Sequence, residues 1–186
     1  MMTSPHYPPP GQRFVIVGTT GSGKTTLADQ IAQTLNLPHI ELDALFWGPN
    51  WTKPPREDFR QRVSAALTGP HWVLDGNYSM ARDIIWRQAD VLVWLDYSLP
   101  LVWGRLFRRA LRRVGRQEVL WNGNRETWRG QFFSRDSLFL YALTSRKKHH
   151  QTYPALLAQA EYAHLQVYRQ RSPRDTDRWL QTLQGV

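Results

Sequence analysis

Two periods of apolar spacing alternate along this chain. Arg13-Phe14-Val15-Ile16-Val17 is a short β-branched run with no polar break after its first residue, the pattern of a strand buried on both faces. Leu27, Ile31 and Leu35 then recur at helical spacing until Asn36 and Pro38 end the periodicity. Further along, Ile40-Glu41-Leu42-Asp43 predicts a second strand, and the stretch from Asp58 to Leu67 a helix with Phe59, Val63, Ala66 and Leu67 inward. Trp72 to Gly76 predicts a third strand, Ala81 to Arg87 a short helix, and the almost wholly apolar Val91 to Asp96 a fourth strand. Pro100 opens an amphipathic helix to about Arg113, its apolar stripe being Val102, Trp103, Leu106, Ala110 and Leu111. Pro154 to Ala163 predicts a helix, His164 to Tyr168 a fifth strand, and Arg174 to Leu183 a closing helix. Strands alternating with helices imply an α/β architecture: three layers, with a five-stranded parallel sheet covered on both faces. Ligands of such sheets bind at the carboxyl ends of the strands, where Asp43, Asp75 and Asp96 fall.

Between the first strand and the first helix, Gly18-Thr19-Thr20-Gly21-Ser22-Gly23-Lys24-Thr25 fits a phosphate-binding loop, and its strand–turn–helix context is the one the motif requires. Gly18, Gly21 and Gly23 allow backbone conformations that turn successive N–H groups toward an anion. The phosphates then sit at the positive end of the following helix. Lys24 is expected to reach the β- and γ-phosphates and the Thr25 hydroxyl to ligate Mg²⁺. Thr26 closes the expected nucleotide-binding set, although it also reads as an ordinary first-turn residue. ATP and Mg²⁺ are the cofactors these residues predict.

At 186 residues the chain suits one domain, with Met1 to Gln12, rich in Pro5, Pro8, Pro9 and Pro10, as a flexible leader and 13–186 as the domain. It has no cysteine, no signal-like core in its first dozen residues and no apolar run near the roughly twenty residues a membrane span needs, so a cytoplasmic location and no membrane partner are expected. The net charge of +9 changes the picture through its location. From Arg105 to His150 there are twelve Lys and Arg against Glu118, Glu126 and Asp136, and the rest of the chain carries twelve of each sign. A neutral core thus carries a basic insertion, expected to act as a helical lid over about 114–153, and whatever it touches is anionic.

With these residues in hand, the chain resembles the nucleoside-monophosphate-kinase branch of phosphate-loop proteins, which includes adenylate and shikimate kinases. Trp72-Val73-Leu74-Asp75-Gly76 looks like the adenylate kinase strand that ends in Asp-Gly, where the Asp holds the Mg²⁺ hydration shell. Val91 to Asp96 followed by Pro100 is similar to that family's fourth strand and its helix into an arginine-bearing lid. In overall wording the chain resembles bacterial proteins described as adenylate-kinase-like or topology-modulation proteins. The shared segments are Leu-Asp-Ala-Leu-Phe-Trp at 42–47, Asp-Gly-Asn-Tyr at 75–78 and Trp-Asn-Gly-Asn-Arg-Glu at 121–126. One departure is clear. Adenylate kinases place an arginine for the acceptor phosphate four residues past the Asp of Asp-Gly, where this chain has Ser79, and the nearest arginine is Arg82.

Candidate chemistry follows. Asp75 is the expected metal-linked carboxylate, because Gly76 leaves room beside the loop; Asp96, at the end of an equally apolar strand, is the alternative. Asp43 falls where the resemblance to shikimate kinase puts a substrate-binding Asp, and it suits orienting or deprotonating an acceptor hydroxyl. Trp47 and Trp51 flank a turn and either stack on a ligand or cover the core. Arg105, Arg108, Arg109 and Arg112 share one helix face; Arg105 and Arg109 are the expected catalytic cations, with a solvated polar face as the competing reading. Ser172 and Arg174 lie after the fifth strand, where related kinases hold adenine. His149 and His150 have no further candidate metal ligands at matching spacing. These residues predict an ATP-dependent phosphotransferase acting on a small molecule, nucleoside or nucleotide. The alternative is a nucleic-acid-associated NTPase, with Trp121 and Trp128 among Arg125 and Arg129 stacking on single strands.

Overall fold

The computed structural model describes residues 13–115, 122 and 138–183. β1 (Arg13–Gly18), β2 (His39–Glu41), β3 (Trp72–Asp75), β4 (Val91–Leu95) and β5 (Gln166–Gln170) form one sheet in the order β2-β3-β1-β4-β5, every pairing parallel. The order reverses about β1, which lies between β3 and β4 with Ile16 level with Asp75 and Val93. That reversal opens a crevice beyond the strand ends, where the Gly18 turn sits.

Alternation along β1 builds two cores. Val15 and Val17 face one layer with Leu74, Leu92 and Trp94, and Phe14 and Ile16 face the other with Val73, Val91 and Val93. The first face is covered by α3 (Arg56–Ala66), α4 (Arg82–Gln88) and the end of α6 (Leu138–Leu157), through Phe59, Val63, Ile85, Trp86 and Tyr153. The second is covered by α1 (Lys24–Leu35), α5 (Leu99–Gly115) and α7 (Pro173–Leu183), through Leu27, Ile31, Val102, Leu106, Trp179 and Leu183. Each fully buried large side chain contributes about 1.5–3 kcal/mol of transfer free energy. The expected five-stranded parallel sheet with helices on both faces is therefore observed.

Two elements differ from expectation. The second strand ends at Glu41, and Leu42–Phe46 forms a short helix, α2, so Asp43 lies in a first helical turn and not at a strand end. Leu42 is fully buried either way, so the alternation of residues 40–43 does not distinguish the two. Pro154 sits inside α6 and opens nothing; its carbonyl accepts from Ala158 N at 3.2 Å, continuing the helix past the ring. Among the described residues no helix is long and apolar enough to cross a membrane. The leader at 1–12 and most of the expected lid, including Trp121, Arg125, Trp128 and Arg129, lie outside the described residues.

Candidate active site

The loop after β1 has the backbone that phosphate binding needs. Gly21 has φ 77°, and a Cβ there would fall 2.6 Å from Cγ of Leu106, so α5 leaves room for glycine alone. Gly23, at φ 97°, precedes α1 without a side-chain cap, and the first turn of that helix contains no acid. Its leading N–H groups therefore have no anionic side chain of their own, and the dipole favours an anion there. Ser22 N donates to Thr19 O at 3.0 Å, closing the turn.

Lys24 Nζ donates to Thr19 O at 3.4 Å. Burial lowers its pKa, Asp75 and Asp43 oppose that, and the nearby Arg109 charge lowers it further. Of the arginine face on α5, Arg105 and Arg109 turn partly inward while Arg108 and Arg112 are exposed. Arg105 Nη1 donates to Ser22 O at 2.6 Å, and its guanidinium lies 5.2 Å from the Tyr97 ring centre. Arg105 thus contacts the loop, Arg109 lies close enough to Lys24 for its charge to act there, and Arg108 and Arg112 lie on the exposed side of the helix.

Thr25 Oγ1 donates to Asp75 Oδ2 at 2.7 Å. Asp75 Oδ1 lies 3.1 Å from His39 Nε2, and His39 Nδ1 lies 2.7 Å from Asp29 Oδ1. Burial alone would lower the His39 pKa, but its bonds to Asp75 and Asp29 raise it overall. The chain Asp29–His39–Asp75–Thr25 holds a buried carboxylate against the loop threonine. Asn77 secures the same junction: its Oδ1 accepts from Gly18 N at 3.0 Å and its Nδ2 donates to Gly18 O. Asp96 has other duties. It accepts from Arg169 Nε and Nη2 at 2.9 and 2.6 Å, with His150 Nε2 at 2.6 Å and Arg146 Nη2 at 3.5 Å, and so ties β4 to β5 and α6. Between the two carboxylates, Asp75 is the one that meets the loop.

A small cavity of about 10 Å³, room for about one water, lies against the Val15–Val17 face of β1, bordered by Asn77 and Tyr78 after β3, Arg82 and Trp86 on α4 and Tyr153 on α6. Tyr78 OH donates to Asp43 Oδ1 at 2.5 Å, and burial followed by the Asp43 charge raises the phenol's pKa. Arg82 lies over the rings of Trp86 and Tyr153, at 5.3 and 5.6 Å from their centres. Among the described residues no carboxylate lies within ion-pair distance of Arg82. Trp47 packs edge-on against both Phe46 and Trp51, and Trp51 adopts a left-handed φ of 57°, an uncommon conformation for a bulky residue. Asn122 reaches this turn, donating from Nδ2 to Trp47 O at 2.5 Å.

Of the remaining sequence candidates, Thr19 and Ser22 are buried, Thr20 is half-buried, and Thr26 is exposed on α1. Ser172 caps α7, its Oγ accepting from Asp175 N at 3.2 Å, and Arg174 is exposed. The sequence did not single out His39; it named Asn77 and Tyr78 only within the Asp-Gly-Asn-Tyr segment, His149 only as lacking further metal ligands, and Arg82 only as a departure. Asn77 and Tyr78 directly follow Asp75-Gly76 and so were within reach of that motif; nothing in the spacing of His39 or His149 marks them.

No family model matches the chain, and no curated protein matches it in sequence. Solved structures do. Shikimate kinase from Bacteroides thetaiotaomicron superposes with a TM-score of 0.55 at 19% identity, covering 94% of this chain and 97% of that one. Shikimate kinase from Acinetobacter baumannii in complex with shikimate gives 0.55 at 17% identity, covering 93% and 91%. A gluconokinase from Sinorhizobium meliloti gives 0.52 at 16% identity, covering 95% of each chain. The likeness is one of fold: the five-stranded parallel sheet with helices on both faces is that of the phosphate-loop kinases.

Proposed function

We propose that this protein is an ATP-dependent kinase of a small hydroxyl-bearing molecule. The observation that carries the reading is the joining of an uncapped, glycine-shaped loop to a buried carboxylate through Thr25, with a second acid, Asp43, close to Lys24. Thr25 and Asp75 supply the hard oxygen atoms that suit Mg²⁺, which when bound neutralises charge on the phosphate oxygens. Lys24 meets the phosphates of ATP as a point charge. Arg105 braces the loop through Ser22 O, and Arg109 adds positive charge close to Lys24. Ser172 and Arg174 take the adenine side, through backbone groups and the guanidinium.

On the acceptor side, Asp43 and Tyr78 form a hydrogen-bonded pair suited to orienting a hydroxyl for in-line attack. Arg82, with no carboxylate within ion-pair distance among the described residues, adds a cation for a second, anionic group of the same molecule. The neighbours named for shikimate and gluconate kinases make hydroxy acids natural first probes. The test is ADP release from Mg·ATP with shikimate, D-gluconate, AMP, nucleosides and single-stranded DNA, each against water alone. Stimulation by one small molecule supports the kinase and names its substrate class. Stimulation by DNA alone, steeply weakened by salt, would replace it with a nucleic-acid-associated NTPase.

A further inference from the structure

The chain leaving β3 grips three separate parts of the site within four residues. Asp75 accepts from Thr25 in the first turn of α1, Asn77 bonds Gly18 where the phosphate loop begins, and Tyr78 donates to Asp43 on α2. Both ends of the loop are therefore held by one turn.

The contact at Gly18 differs in kind from the other two, because it is made to the backbone. The pairing of β1 with β3 ends at Ile16 and Asp75, and Gly76 N then donates to Ile16 O at 3.2 Å. β1 runs on to Gly18, level with Leu95 of β4 on its other side. On the side that β3 has left, the Asn77 side chain takes over: its Oδ1 accepts from Gly18 N at 3.0 Å and its Nδ2 donates to Gly18 O. A primary amide offers the same donor and acceptor as a peptide group, so the sheet is continued where the backbone of β3 has turned away. The residue type suits the place. Alanine would leave both backbone groups of Gly18 to water, and aspartate would offer no donor and set a negative charge beside the phosphates.

We propose that Asn77 is the positioning residue of the phosphate loop: its amide fixes Gly18, and so the turn that follows, in the phosphate-binding arrangement before a nucleotide arrives. The inference rests on the phosphate-binding part of the kinase reading above and deepens it, since the turn after β3 becomes a common frame for the loop and for Asp43. Groups held in place beforehand cost no reorganisation when the anion enters.

The experiment compares full-length wild type with Asn77→Ala, which lacks the amide, and Asn77→Gln, which keeps it on a longer arm. Calorimetric titration with Mg·ADP and with Mg·tripolyphosphate, which has phosphates but no base, is paired with melting temperature and with hydrogen exchange of the Gly18 amide, followed by NMR in the ligand-free proteins. In wild type that amide should exchange at least about tenfold more slowly than an unprotected one, because Asn77 already holds it. Asn77→Ala should bind both ligands about tenfold more weakly, exchange the Gly18 amide faster by a similar factor, and melt within about 4 °C of wild type. Asn77→Gln should recover part of the lost affinity. Unchanged affinity for both ligands in Asn77→Ala, at whatever melting temperature, would overturn the assignment and leave Asn77 a residue of the fold alone. So would a Gly18 amide that exchanges freely in ligand-free wild type, a result that depends on no variant. Failure of wild type to bind either ligand would remove Asn77 and the phosphate loop from function together. The kinase reading fails separately: Mg·ADP binding with no small molecule stimulating ADP release would sink that reading and leave Asn77 in its role.

Discussion

Around the phosphate loop, Thr25, Asp75, His39 and Asn77 are each hydrogen-bonded within the protein, whereas on the neighbouring face Arg82 rests on the rings of Trp86 and Tyr153, and His149 stacks on Tyr153. The contrast has a physical meaning. A side whose polar groups are already paired is preorganised, and its geometry is ready before the ligand arrives. A side with a cation that has no carboxylate partner among the described residues is one that a bound anionic group would complete, and such a side would disfavour a ligand that leaves the cation unsatisfied. On the proposed kinase reading, the loop side suits a constant partner and the other side discrimination between acceptors.

The largest expected effect tests the donor side. Lys24→Ala should lower ATP turnover by at least about 100-fold, through loss of the charge that meets the phosphates, while circular dichroism stays that of wild type. ADP release under saturating Mg²⁺ measures it, and a rate within twofold of wild type would take the loop out of the mechanism. Asp43→Asn should separate the two sides: acceptor-dependent turnover falls by about 10- to 100-fold while ATP affinity stays within about twofold. Equal losses of both would assign Asp43 to folding, as an acid in the first turn of α2.

The two sides also differ in how legible they were in the sequence. Eight contiguous residues carry the phosphate loop, so spacing alone revealed its strand, turn and helix, and the apolar runs of β3 and β4 located Asp75 and Asp96. Choosing between those carboxylates needed three dimensions, because Arg169, His150 and Arg146 reach Asp96 from β5 and α6. The proposed acceptor side draws Asp43 from α2, Tyr78 from the turn after β3, Arg82 from α4 and Tyr153 from α6, more than 100 residues apart, with no fixed spacing to read. The strand expected over 40–43 failed for a related reason: burial of Leu42 is satisfied equally by a strand and by the first turn of α2. Pro154 misled because proline favours a helix start, yet within α6 it removes only one N–H donor and the chain continues helically beyond it.

A smaller effect is expected one bond further from the loop. His39 touches neither loop nor cavity and acts by holding Asp75, so it is a positioning residue. His39→Ala should raise the Mg²⁺ concentration needed for half-maximal turnover by about tenfold and change the maximal rate less. His39→Gln, which can still donate to Asp75, should recover part of that loss. An unchanged Mg²⁺ requirement in both variants would detach Asp75 from the metal.

The smallest expected effect is a pH dependence carried by His149 on α6. His149 titrates near its ordinary 6.5 when unfolded and at about 4 when folded, because burial and the cations Lys24, Arg82, Lys148 and His150 oppose its protonation. Between those values the unfolded chain binds the extra proton and the folded protein does not. The contribution of His149 to stability is therefore complete above about pH 6.5 and is lost as the pH falls toward 4. Melting temperatures measured from pH 4 to 7.5 should decline toward acid in wild type by a few degrees more than in His149→Phe, so that the two curves meet near neutrality and part below about pH 6. Parallel curves across that range would mean that the imidazole reaches solvent or an acid when protonated, and His149 would then be as fully partnered as the loop beside it.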